Sequence, residues 1–254
     1  ILWKPKKSFT KASNMDAYRV WINKTQQMEL NDYQELWNWS VNHQNEFWES
    51  ILNYYQIDYS GKYKAVKTTP KSMHETRWFQ GIELSYAEHI FKNLTNETPA
   101  IVFKSEHHEL QKITWESLHL QTGKVASYLK SCGVKKGDRV CSMLPNSPEA
   151  IVAFLATNSL GAIWTSCSPD FGIKSILDRF SQIEPKVFIA ANAYQYNGKI
   201  FNKIDEIKEI KASIPSIKNV LLVDYIDDIE TDLISDSWKN IQSEKEVELN
   251  FERV

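Results

Sequence analysis

The residues best placed to do chemistry lie in the run Thr165-Ser166-Cys167-Ser168-Pro169-Asp170-Phe171-Gly172, which carries hydroxyls, a thiol and a carboxylate out of an apolar segment and into a helical one. Ligands of open α/β sheets bind outside the carboxyl ends of the strands, and this loop leaves such an end. Cys167 between two serines suggests a nucleophile, yet no GxSxG surrounds it and no nearby His offers a base, so it reads as a small buried thiol. Asp170, Asp178 and Glu184 are candidates for an acid and base pair. Their ordinary roles are a loop cap for Asp170, a helix-face partner of Lys174 for Asp178 and a solvated helix end for Glu184. His107 and His108 adjoin Glu106 and Glu109, but ligands on one strand face stand two residues apart, so the cluster reads as a solvated hairpin tip and no metal site is expected. Gly123-Lys124 lacks the upstream glycine of a phosphate-binding Walker loop, and no GxGxxG follows a strand.

Two textures of sequence must position these residues. Up to about residue 95 the chain is helical and aromatic-rich. Asn14 is expected to cap a helix through about Gln27, and Asn31 with Gln34 a second. A stripe of Trp37, Val41, Phe47, Trp48, Ile51 and Tyr55 continues at helical spacing, broken near His43, and reads as core. Residues 57–79 lack periodicity and read as an extended strap, after which Ser85 and Glu88 open a short helix. From residue 96 to 254 strands and helices alternate. A hairpin turns about 105–109, and Thr114 caps a helix ending before Gly133. Strands are expected at 139–144, 162–166, 186–190 and 219–224, and helices at 147–160, 173–183 and 200–212. Right-handed crossovers then produce a doubly wound α/β fold, with a mostly parallel sheet and helices on both faces.

A chain of 254 residues that is 42% hydrophobic and 24% charged is an ordinary globular sequence. Its net charge of -2, with no long basic run, argues against a nucleic-acid partner. The best apolar stretch, 150–167, is interrupted by Asn158 and Ser159, so no membrane span is expected. Cys132, Cys141 and Cys167 are odd in number and widely spaced, which suits reduced thiols in the cytoplasm.

Several phrases, taken in order, resemble one family. They are Trp78-Phe79-Gln80-Gly81, Gly133-Val134-Lys135-Lys136-Gly137-Asp138-Arg139-Val140, Pro145-Asn146-Ser147-Pro148-Glu149-Ala150 and Cys167-Ser168-Pro169-Asp170-Phe171-Gly172, the last followed by Leu177-Asp178-Arg179-Phe180. Together they resemble the adenylate-forming acyl-CoA synthetases over nearly the whole chain. The Ser-Pro-Asp-Phe-Gly loop is similar to that of members acting on acetoacetate, where members acting on acetate or propionate carry a Gly-Gly-Phe-Ser type loop. The resemblance implies a ligase that makes acetoacetyl-CoA from acetoacetate, Mg²⁺-ATP and CoA through an acyl-adenylate, and a cytoplasmic role in lipid metabolism. A different short-chain acid as substrate and a non-catalytic binding module are the alternatives.

The same resemblance implies that the chain is the incomplete N-terminal portion of a larger adenylate-forming domain, inactive alone. The phosphate loop and the catalytic lysine are expected in a C-terminal part beyond Val254. Residues 1–95 would be a helical cap and strap, and residues 96–254 the first α/β subdomain. No catalytic residue is implied here, but a CoA side is. Ser168, Pro169 and Asp170 align with a segment lining the CoA channel, and Tyr196, Asn197, Gly198 and Lys199 with one that approaches the CoA 3′-phosphate. Lys199 is expected at the N-terminus of the helix over 200–212, whose N–H groups would favour an anion.

Overall fold

The computed structural model describes residues 3–92, 94–245 and 247–254. The chain forms two compact units that divide between Glu83 and Leu84.

The first unit contains four helices: α1 (Lys7–Lys11), α2 (Asn14–Gln26), α3 (Tyr33–Asn42) and α4 (Gln44–Tyr54). The caps fall one residue away from those expected at Asn14 and Asn31. Ser13 accepts the Asp16 N–H at 3.2 Å, and Asp32 accepts that of Glu35 at 2.9 Å while the Glu35 carboxylate accepts from the Asn31 N–H. A cap must be extended and reach the N–H three residues on, and the serine and aspartate do this where the asparagines do not. His43, at φ -125° and ψ 57°, breaks the long helical pattern in two. The expected stripe also splits between a covered and an exposed flank within α4. Phe47 and Ile51 pack with Tyr18, Ile22, Leu36 and Trp39, whereas Trp37, Val41, Trp48 and Tyr55 are exposed. The strap that follows is extended, and β1 (Ser60–Gly61) pairs with β2 (Ile82–Glu83) in antiparallel fashion. A Cβ on Gly81, at φ 109°, would stand 2.6 Å from the Lys62 carbonyl oxygen, which explains the glycine in the Trp-Phe-Gln-Gly phrase.

The second unit opens with α5 (Tyr86–Lys92), the short helix heralded by Ser85 and Glu88, whose Phe91 joins the core of this unit. The observed division thus precedes the one expected at 95/96. A hairpin of β3 (Ile101–Phe103) and β4 (Gln111–Ile113) leads to α6 (Trp115–Ser131), capped by Thr114. The alternation then runs β5 (Arg139–Met143), α7 (Pro148–Ser159), β6 (Ile163–Cys167), α8 (Ile173–Phe180) and β7 (Val187–Ala191). A second hairpin, β8 (Ala193–Tyr196) and β9 (Lys199–Asn202), precedes α9 (Ile204–Ser213), β10 (Asn219–Val223), β11 (Asp236–Ser237) and α10 (Trp238–Ser243). The helix expected from residue 200 therefore begins at Ile204, because β9 first pairs back on β8.

The sheet order is β11-β10-β7-β5-β6, with every neighbouring pair parallel. Alternate residues divide between two cores, as a pleat with period two requires. Val140, Val187, Ile189, Leu221 and Val223 pack with α5, α6, α7 and α10. Cys141, Met143, Phe188, Ala190, Val220 and Leu222 pack with α8 and α9. This is the doubly wound α/β architecture, with helices on both faces of a parallel sheet. Residues 247–254 run back over the first of these cores. Leu84 and Val254 exchange both N–H···O bonds at 3.0 Å, and Arg253 forms a bidentate pair with Glu88.

Candidate ligand cleft

Connectivity determines where a site can open. The loop after β5 leads to α7 on one face, whereas β6 leads to α8 and β7 to α9 on the other. Neighbouring strands whose loops part in this way leave a crevice at their carboxyl ends. A cleft of about 600 Å³ lies there. Its lining comes from the end of β5 (Ser142, Leu144, Pro145, Asn146), from α7 (Ala150, Ile151, Phe154), from β6 and its loop (Trp164, Ser166 to Asp170), and from β8 (Tyr194, Tyr196). Ser142 and Ser166 are cross-strand partners in the parallel register. Phe154 and Trp164 meet edge to face, with centroids 6.3 Å apart, and form the aromatic wall. Among the described residues that line it, Asp170 is the one charged side chain, and it is exposed.

Of the candidate residues, the fold brings Ser168, Pro169, Asp170 and Tyr196 to this one cleft. Pro169 is buried, while Ser168 and Asp170 point to solvent, and the Phe171 N–H donates to the Ser168 carbonyl to close the turn. Asn197, Gly198 and Lys199 stand off from the lining. They form the tip of the β8–β9 hairpin, with Tyr196 paired to Lys199, and Asn197 and Gly198 both at positive φ. Lys199 lies in β9 and not at a helix N-terminus, so the helix dipole invoked for it is absent. The two tip N–H groups already hold an anion, because Asn197 and Gly198 donate at 2.9 and 2.8 Å to the two carboxylate oxygens of Glu106. The Gly198 bond, then the Asn197 bond, hold that carboxyl below its ordinary pKa.

The other groups singled out for chemistry have structural roles. Glu184 reaches Arg139 at 3.8 Å, at the amino end of β5, so it sits at the opposite end of the sheet from Asp170 and cannot pair with it. His108 Nε2 contacts the Tyr225 carbonyl at 3.0 Å, and the N–H groups of His107 and His108 bond Ser105 Oγ. Among the described residues no group of three or more His, Cys, Asp or Glu could hold a metal ion. Burial raises the Cys167 thiol above its ordinary pKa, with Arg179 opposing, and the side chain packs beside Met143 and Ile176, which suits a buried thiol and not a nucleophile. Reading from the sequence missed Ser142, Asn146, Phe154, Trp164 and Tyr194. The turn residues Pro145-Asn146 after a strand were a signal of the same kind as the 168–172 loop; the aromatics, on a helix and on strands, carried none.

The fold and the cleft define a class. A family model described as AMP-binding enzyme matches residues 91–250, and one described as Acetyl-coenzyme A synthetase N-terminus matches residues 33–90. The chain belongs to the AMP-binding enzymes. Among its relatives, Acetoacetyl-CoA synthetase of Gallus gallus is 37% identical over 233 residues, covering 91% of this chain and 35% of its own length. Acetoacetyl-CoA synthetase of Mus musculus is 36% identical over 228 residues, covering 89% and 34%. The solved Acetoacetyl-CoA Synthetase from Streptomyces lividans superposes with a TM-score of 0.90 at 32% identity, over 100% of this chain and 39% of that one. The chain thus spans about a third of the length of the curated relatives it matches.

Proposed function

We propose that the protein carrying this chain is an AMP-forming acid–thiol ligase that joins acetoacetate to CoA, and that this chain supplies part of the CoA side. The observation that supports this is the convergence of Ser168, Pro169, Asp170 and Tyr196 on one cleft at the sheet's switch point, in a member of the AMP-binding enzymes. In the reaction the acetoacetate carboxylate attacks the α-phosphorus of ATP, which enters as its Mg²⁺ complex, and pyrophosphate leaves. The CoA thiol then attacks the acyl carbonyl and AMP departs. Buried Pro169 holds the loop, and Ser168 and Asp170 present a hydroxyl and a carboxylate at the mouth of the cleft, where polar groups of CoA would pass. Lys199, exposed and cross-strand from Tyr196, is the cation for the 3′-phosphate. A phosphate at the hairpin tip would compete with Glu106 for the N–H groups of Asn197 and Gly198. The phosphate loop and the charge-stabilising lysine of adenylation belong to the remainder of the protein. Three free cysteines support a reducing, cytoplasmic setting, with the product entering lipid metabolism.

The test is pyrophosphate release by the full-length gene product with ATP, Mg²⁺ and CoA, comparing acetoacetate with acetate at equal concentration. Preference for acetoacetate is expected. Preference for acetate would keep the class and overturn the substrate, and no release with either acid would overturn the ligase reading.

A further inference from the structure

Ser142 lies on the central strand β5, wholly buried, and its Oγ has no hydrogen-bond partner. Ser147 and Ser216 Oγ are likewise buried without a partner, but neither lines the cleft, and hydroxyls on the helices are satisfied locally. Thr122 and Thr157 donate to the carbonyls of Leu118 and Ala153 one helical turn back, and Ser159 donates to that of Ala156. On β5, which is paired to β6 and β7, the Cys141 thiol reaches the Val187 carbonyl at 3.7 Å, but Ser142 Oγ on the opposite face finds no such acceptor. The hydroxyl must be satisfied from the sheet face, and Ser142 is part of the lining of the cleft. An unpartnered buried polar group calls for a partner, and here the partner's place is the cleft itself.

The surroundings select what that partner is. Leu144, Phe154, Trp164 and Tyr194 give the lining apolar and aromatic surface, Ser166 opposite Ser142 and Asn146 add neutral polar groups, and among the described residues that line it the one charge, on Asp170, is negative and exposed. A phosphate or carboxylate carried down to Ser142 would be buried with no cation to meet it, at heavy cost. A neutral group on a slim, flexible chain has no such penalty. The hydroxyl both donates and accepts, so it matches either end of an amide. We propose that Ser142 Oγ anchors an amide of a ligand arm lying in this cleft, of the chemistry found in the pantetheine portion of CoA. The proposal rests on the CoA-side reading of the cleft and adds to it a recognition residue in the floor of the site.

Calorimetric titration of pantetheine and, in parallel, of CoA into the full-length protein tests this, for the wild type, Ser142→Ala and Ser142→Cys. Loss of one neutral hydrogen bond is expected to weaken pantetheine binding roughly fivefold to tenfold in Ser142→Ala. A smaller loss is expected in Ser142→Cys, whose thiol is a weak donor. Without ligand the alanine variant should melt no lower than wild type, because no protein partner is lost. Equal pantetheine affinity in all three proteins, with CoA still bound, would overturn the role of Ser142 and leave the CoA reading standing. CoA binding without pantetheine binding would overturn the arm assignment, and so would a lower melting temperature of the unliganded alanine variant, which would show the hydroxyl paired within the fold. Binding of neither ligand by the wild type would overturn the proposal and the CoA reading together.

Discussion

Single residues here owe their roles to neighbours far away in the chain. Gly123 is the clearest case. A Cβ at this position in α6 would stand 2.6 Å from the Val247 carbonyl oxygen, so glycine is needed for the close passage of the 247–254 segment. Its neighbour Lys124 donates to the Gln242 carbonyl at 2.6 Å. The Gly-Lys pair, which lacks the upstream glycine of a nucleotide motif, therefore has a packing role. Gly123→Ala is expected to destabilise the protein by about 1–3 kcal/mol, read as a lower urea midpoint at unchanged slope. An unchanged midpoint would mean that the segment does not hold its place in solution. Glu106 offers a second test. Because its carboxyl is held low by the Gly198 and Asn197 N–H groups, the amide shifts of both residues should titrate together, with a midpoint below the ordinary carboxylate range. In Glu106→Gln that titration should vanish, and its persistence would implicate another acid.

At the scale of elements, helix starts and strand starts are held by short-range polar contacts that decide phase. Asp32→Ala removes the cap of α3 and is expected to cost about 1 kcal/mol, measured by chemical denaturation. Asp138, just before β5, ties that strand to the start of β7. Burial works to raise its pKa, but the Lys186 ammonium at 2.6 Å and the Lys135 N–H at 2.8 Å outweigh it, and the net shift is downward. A carboxyl whose folded pKa lies below its unfolded value stabilises the fold above the unfolded value, near 3.9, and that contribution is lost as pH falls through the folded one. Lys186 is 42% exposed, so solvent screens the pair, and Asp138→Asn should cost only about 0.5–1 kcal/mol at pH 7. Wild type and variant should converge in acid, and a gap that persists there would assign the effect to packing. The order and type of the major elements from Thr114 to Val223 were readable because apolar period, caps and breakers agreed. The β8–β9 hairpin was not readable, since Lys199-Ile200-Phe201-Asn202 also fits a helical start and only pairing with 193–196 decides for strand.

For the molecule as a whole, the parting of loops at β5 is what makes a cleft. In a two-step ligase the first step does not need CoA, which gives the proposed CoA side its own signature. Asp170→Ala in the full-length protein is expected to raise KM for CoA several-fold and leave CoA-independent exchange of pyrophosphate into ATP near wild type. An equal loss in both assays would remove Asp170 from the CoA side.

The sequence by itself determined the α/β alternation, the caps to within one residue, the place of the 168–172 loop at a strand end and, through its ordered phrases, the family. Those features are local, encoded in periodicity, turn chemistry and short motifs. Only the tertiary structure decided which aromatics are buried, because the flank of a helix that is covered depends on what packs against it. It alone joined Ser142, Trp164, Tyr194 and the 168–170 loop in one cleft, and engaged the 197–198 turn with Glu106 from a distant hairpin. Such groupings arise from strand order and crossover direction, which bring together residues that no spacing along the chain relates.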